Sequence, residues 1–169
     1  MKKYIVTLLM LLMSIGTFAQ DDDNAFEYHY SGWSYLCGIN APQDFKKAVE
    51  NFSIAASKNS IWAAAAMTGL GYCYFHGLGV PQNRQKAVAY FQKAASKDEE
   101  FAQLYLSYFY REGLYVEKNT SLSKYWANQC SEYFPPAKYT RYINELLNPE
   151  VRFRNARQEI EDAMNIFGY

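Results

Sequence analysis

Few side chains in this sequence could do acid–base, nucleophilic or metal chemistry. The 169 residues carry two histidines, His29 and His76, and three cysteines, Cys37, Cys73 and Cys130. No Cys or Asp stands at a recognised nucleophile or metal-ligand spacing from either imidazole, so no catalytic and no metal site is expected. His76, next to Gly77, reads as the last residue of a helix, placed to interact with the helix dipole. Gly69-Leu70-Gly71 and Gly77-Leu78-Gly79 look like phosphate loops only in composition. Neither follows a strand or completes a dinucleotide or Walker pattern, so no cofactor is expected. Asp21, Asp22 and Asp23 lack the glycine and the Glu of a calcium loop and read as a solvated leader.

Composition narrows the function further. Lys plus Arg equal Asp plus Glu at 17 each, which argues against a nucleic-acid partner. Half the residues are apolar and 18% aromatic, too many for a disordered chain. Lys2 and Lys3, an apolar run from Tyr4 to Ile15 and the small residues Thr17 and Ala19 make a three-part secretory signal, with cleavage expected after Ala19. The run is shorter than the roughly 20 residues of a membrane span. Without it, 15 basic face 17 acidic groups, and the expected product is an exported domain with no membrane span, periplasmic or extracellular and a monomer.

The elements that position any site follow from an internal repeat. Residues 32–58 and 71–97 align without a gap and are identical at 13 of 27 positions. A third copy begins 36 residues after the second, with Ala66, Leu70, Tyr74, Gly77, Leu78, Val80 and Asn83 meeting Ala102, Leu106, Tyr110, Gly113, Leu114, Val116 and Asn119. Each copy reads as helix, turn, helix. Ala66, Leu70, Tyr74 and Gly77 form one stripe of a first helix. Gly77 suits a left-handed cap, Pro81 stops the first helix from resuming, and Asn83, like Asp44 and Asn119, is an N-cap. Ala87, Val88, Phe91, Ala94 and Ala95 form the apolar stripe of the second helix. Asn40 replaces Gly79 in the first copy, and Asn tolerates the left-handed region. In the third copy Tyr115 replaces Gly79 and Leu122-Ser123 replaces Lys86-Ala87, which leaves its turn and the register of its second helix open.

This pattern resembles the Sel-1-like repeat, a relative of the tetratricopeptide repeat. Ala66, Leu70-Gly71, Tyr74, Gly77, Gly79-Val80, Asn83, Lys86-Ala87, Tyr90-Phe91 and Ala94-Ala95 follow the family pattern. The resemblance implies an all-α, right-handed α/α superhelical solenoid whose first helices line a concave wall. The expected organisation is a signal peptide over 1–19, an acidic leader over 20–24 and repeats over 25–59, 60–98 and 99–134. A half-repeat over 135–148 and a C-terminal capping helix over 149–169 complete it. Phe153, Ala156, Ile160, Ala163 and Phe167 give that last helix its apolar stripe, and an end unit needs such a cap.

The resemblance also implies a binding scaffold for an unidentified protein or peptide. Trp33, Tyr72 and Tyr108 occupy equivalent positions, with Tyr72 about 160 to 200° around the helix from Leu70 and Tyr74. On the concave wall they would form an amphipathic strip for a partner; alternatively, adjacent first helices bury them as ordinary packing. Some exported, cysteine-rich relatives bind or hydrolyse β-lactams, but they carry two cysteines per repeat. Here Cys37, Cys73 and Cys130 fall at non-equivalent positions, as buried thiols or as a Cys37–Cys73 pair with Cys130 free. A self-associating structural envelope protein is the remaining alternative.

Overall fold

The computed structural model describes residues 24–130, 134 and 136–167. The expected signal peptide and all but the last residue of the acidic leader lie outside them. The described chain is all-helical: α1 over 24–37, α2 Phe45–Ser57, α3 Trp62–His76, α4 Arg84–Ala95, α5 Glu100–Glu112, α6 Thr120–Gln129, α7 Pro136–Leu147 and α8 Pro149–Phe167. Helices α2 to α6 stack in order, α3 between α2 and α4, and α5 between α4 and α6.

The turn chemistry is the same in all three repeats. Gly38, Gly77 and Gly113 take φ of 70°, 76° and 72° at the ends of the first helices. Asp44, Asn83 and Asn119 accept from the backbone N–H of Lys47, Lys86 and Leu122 at 3.0, 2.8 and 2.9 Å. The backbone N–H of each capping residue in turn donates to Tyr35, Tyr74 or Tyr110 O at 2.9 Å, pinning every second helix to the helix before it. Tyr115 keeps the left-handed turn at φ 63°, as Asn40 does at 57°. The register also holds: Ser123 takes the buried place of Ala87, and its hydroxyl donates to Ser107 O at 2.9 Å.

The core runs between the paired helices. Ala48, Phe52 and Ala55 of α2, and Ala87, Val88, Phe91, Ala94 and Ala95 of α4, are buried against the first helices. Phe52 lies against both Gly32 and Gly69, where an added Cβ would stand 2.6 and 2.7 Å from its ring. Cys37 and Cys73 are free and fully buried in this seam. Burial pushes their thiols up, to about 11 and about 12. At pH 8 the thiolate fraction of either is on the order of one in a thousand or less. Both should therefore resist iodoacetamide in the native protein and react once it is unfolded in guanidinium. Rapid native labelling followed by mass spectrometry would show instead that the α1–α3 seam opens.

The last helix also reaches residues of the first repeat. Arg157 Nη1 donates to Cys37 O at 2.9 Å, Phe153 packs 6.1 Å from Phe45, and Arg152 lies 4.8 Å over Trp33. The α8 helix thus runs back to the first repeat. With α7 it packs against α1, α3 and α5, and at Phe45 against the start of α2.

Candidate functional site

The covered face decides where the aromatic column lies. Tyr72 is 1% exposed, and its hydroxyl donates to Glu145 O of α7 at 3.2 Å. Four residues on, His76 Nε2 is 2.6 Å from Leu146 O, which makes Nε2 the protonated nitrogen. These two carbonyls belong to the last turn of α7, where a helix leaves its C=O groups without partners. Tyr72 and His76 therefore close the end of α7. The dipole His76 meets is that of α7 as well as its own helix, and burial lowers its pKa despite the Leu146 contact. Tyr72 offers no surface to a partner in this arrangement.

The other two column residues are half-buried. Tyr108 lies under the Arg111 guanidinium at 5.3 Å, and the same guanidinium lies 5.2 Å from the Tyr139 ring of α7. Trp33 meets Phe52 edge-on at 5.4 Å and Tyr72 at 6.1 Å. Its Nε1–H donates to His29 Nε2 at 3.1 Å, one helical turn back. Burial lowers the His29 pKa to about 4, so its ring is neutral near pH 7.

Trp33 and His29 open onto a cavity of about 340 Å³ at the N-terminal ends of α3 and α5. Trp62 and Thr68 of α3 and Phe101 and Tyr105 of α5 line it, on the stripe that carries Tyr72 and Tyr108 further along the same helices. Trp62 stacks on His29 at 5.7 Å. Arg152 closes one side, held between Trp33 at 4.8 Å and Phe101 at 5.9 Å. Its Nη1 donates to Glu145 Oε2 at 2.8 Å, so this cation already has a counter-charge.

Glu99 lines the same cavity and has none among the described ion pairs. Its Oε2 accepts from Thr68 Oγ1 at 2.6 Å and from the Ala102 backbone N–H at 2.7 Å, capping α5. Burial nevertheless pushes its pKa up to about 7, outweighing the hydrogen bonds from Thr68 and Ala102 that act the other way. The sequence does not single this residue out, because Asp98-Glu99-Glu100 looks like any solvated turn. Nor does it mark Trp62, Phe101 and Tyr105 as sites; their shared signal is the stripe traced by the column.

A model of the Sel1 repeat matches residues 27–60, 64–99 and 101–129, which is more than half of the sequence. The chain belongs to the Sel1 repeat family. Sel1 repeat proteins generally mediate protein–protein interactions and are typically non-catalytic scaffolds. The crystal structure of a Sel1 repeat protein from Oxalobacter formigenes is similar over 70% of this chain and 47% of that one, at 25% identity and a TM-score of 0.61. A protective antigen present in uropathogenic Escherichia coli strains displays the same repeat fold, at 25% identity and a TM-score of 0.57, over 64% of this chain and 23% of that one. The chain spans less than half the length of either. No curated protein matches it. Among the described residues of this Sel1 chain, no group of His, Cys, Asp and Glu is placed to hold a metal, and no helix is long and apolar enough to cross a membrane.

Proposed function

We propose that this Sel1 repeat protein is an exported scaffold that binds a protein or peptide on the face built by α1, α3 and α5. One observation carries the reading: the first helices converge on an open, aromatic-walled cavity, while the rest of that face is occupied by the chain's own α7 and α8. Large apolar cavities with a few convergent polar groups are where ligands bind, and buried aromatic anchors supply most interface energy. Trp33 is the member of the Trp33, Tyr72, Tyr108 column that lines the cavity. Tyr108 flanks the covered part, and Tyr72 joins the surface only where α7 lifts. Export rests on the Lys2–Lys3 start, the apolar run and Ala19, and places the partner in the periplasm or outside the cell.

The test is a crosslinked pull-down from envelope and secreted fractions, with the parent protein beside a Trp33→Ala, Phe101→Ala variant. The parent should retain a partner that the variant loses while its helical circular dichroism stays unchanged. Equal capture by both would reject this face. N-terminal sequencing of the exported protein should begin at Gln20.

A further inference from the structure

The cavity carries a charge pattern as well as aromatic walls. Its cation, Arg152, is neutralised by Glu145 and stacked between Trp33 and Phe101. Its two carboxylates, Glu99 and the half-buried Glu100, belong to none of the ion pairs among the described residues. His29 is neutral, and burial pushes the Tyr105 hydroxyl up, so it stays protonated. The space therefore holds carboxylates without an ion-pair partner beside two indoles and a phenyl ring. An anion would meet Glu99 and Glu100. A neutral apolar group would offer Glu99 no counter-charge, so it would be accommodated only as Glu99 takes up a proton. A cation supplies the missing counter-charge, and Trp62, the ring of the three that does not lie under Arg152, can add to its attraction.

The shape of the available acceptors selects the cation. A guanidinium gains its advantage from a planar, two-pronged match to a free carboxylate edge. Glu99 Oε2 is already committed to Thr68 and Ala102, and the flat slot between Trp33 and Phe101 holds Arg152. An ammonium is a compact point charge and needs no fork. Its alkyl stem suits the space between the rings of Trp33, Trp62 and Phe101.

We propose that this cavity receives a primary ammonium on an alkyl stem, the side chain of a lysine in the partner, with Glu99 and Glu100 as counter-charges and Trp33, Trp62 and Phe101 as walls. The assignment rests on the first-helix face being the binding surface. It also sets a pH dependence. The groups facing Glu99 are His29 from α1, Glu100 and Tyr105 from α5 and Arg152 from α8, and Glu99 is the one whose pKa, about 7, lies in the working range. Below that pH it is neutral and supplies no counter-charge. Binding therefore strengthens from about pH 6 to about pH 8 and releases a proton from Glu99, because the lysine ammonium stays charged throughout.

The experiment titrates the exported protein with lysine capped at both termini and reads tryptophan emission from Trp33 and Trp62 alongside calorimetry. A saturable change is expected, with a Kd on the order of millimolar for so small a probe. Capped norleucine, which keeps the stem without the charge, and capped glutamate should not saturate. Glu99→Gln should weaken the lysine probe by about tenfold or more and flatten its pH dependence. Ala65→Leu should block it by filling the cavity without touching a charge, which keeps the test decisive if the Glu99 variant folds poorly. Norleucine binding as well as lysine, or lysine binding unchanged in both variants, overturns the proposal. Cadaverine binding far more tightly than capped lysine would overturn the peptide source and make the ligand a free amine. If the Trp33→Ala, Phe101→Ala variant loses the partner but capped lysine never binds, the face is right and the lysine assignment is wrong. If capped lysine binds and partner capture is unaffected, the cavity assignment stands and the partner surface lies elsewhere.

Discussion

Replacing Gly79 by alanine is expected to cost the fold about 2 to 5 kcal/mol, against about 1 to 2 kcal/mol for the same change at Gly38. Both glycines hold a left-handed backbone, at φ of 73° and 70°. A side chain in that region costs roughly 1 to 2 kcal/mol in either place. The difference lies in the neighbours. A Cβ on Gly38 would meet nothing nearer than 3.5 Å, whereas one on Gly79 would stand 2.2 Å from Phe45 O and 2.9 Å from Lys46 N. Those are backbone atoms of the first turn of α2, so α2 itself must shift, adding an overpacking cost of roughly 1 to 3 kcal/mol. Thermal unfolding of the two variants should then show a fall of about 10 °C for Gly79→Ala and only a few degrees for Gly38→Ala. Equal falls would mean that the repeats slide against each other at no cost.

The same turn shows why the repeat is legible in the sequence. Helix caps and left-handed turns depend on residues a few positions apart, so Gly77, Pro81 and Asn83 announce their own geometry. Tyr115 departs from the glycine of the pattern, yet it keeps φ at 63°. Its ring packs 5.6 Å from Phe75 and 6.0 Å from Phe109 and carries Arg84 at 5.0 Å, contacts that offset the strained backbone. The third repeat therefore holds the second left-handed position of its turn by packing rather than by glycine.

The covering of the first-helix face is harder to read, because it depends on contacts such as Arg157 to Cys37, which are 120 residues apart. One local signal is present. From Trp62 to His76 the α3 sequence contains no Asp, Glu, Lys or Arg, and ten of its fifteen residues are buried. A helix without a polar face is covered all round. That absence of charge on α3 argues by itself against an open wall at Tyr72. Glu99 gives no such signal: its burial depends on Thr68, 31 residues earlier, and on the aromatic rings around the cavity.

The largest effect confined to the C-terminal pair is expected from Glu145→Gln. Glu145 is 1% exposed, and its carboxylate accepts from Arg141 Nε at 3.0 Å, Arg152 Nη1 at 2.8 Å and Asn155 Nδ2 at 2.8 Å. It thus ties α7 to α8 and balances Arg152 where that guanidinium lies between Trp33 and Phe101. Removing one partner of a buried ion pair leaves the other charge uncompensated and costs about 3 to 5 kcal/mol. Burial alone would raise the Glu145 pKa, but the bonds from Asn155 and Arg152 and the charge of Arg152 outweigh it and hold it below the ordinary 4.5. A depressed folded pKa contributes stability that is present above the ordinary value and lost as pH falls through the folded one. The C-terminal pair should therefore loosen in acid below about pH 4.5, and Glu145→Gln should remove that part of the acid response. Hydrogen exchange on the variant at neutral pH should show protection lost along α7 and α8, with α2, α3 and α4 retaining theirs. Retained protection in α8 would show that the Glu145 network does not hold it. A uniform loss across all helices would show that the pair and the repeats unfold as one unit, so that the first-helix face cannot be uncovered without unfolding the solenoid.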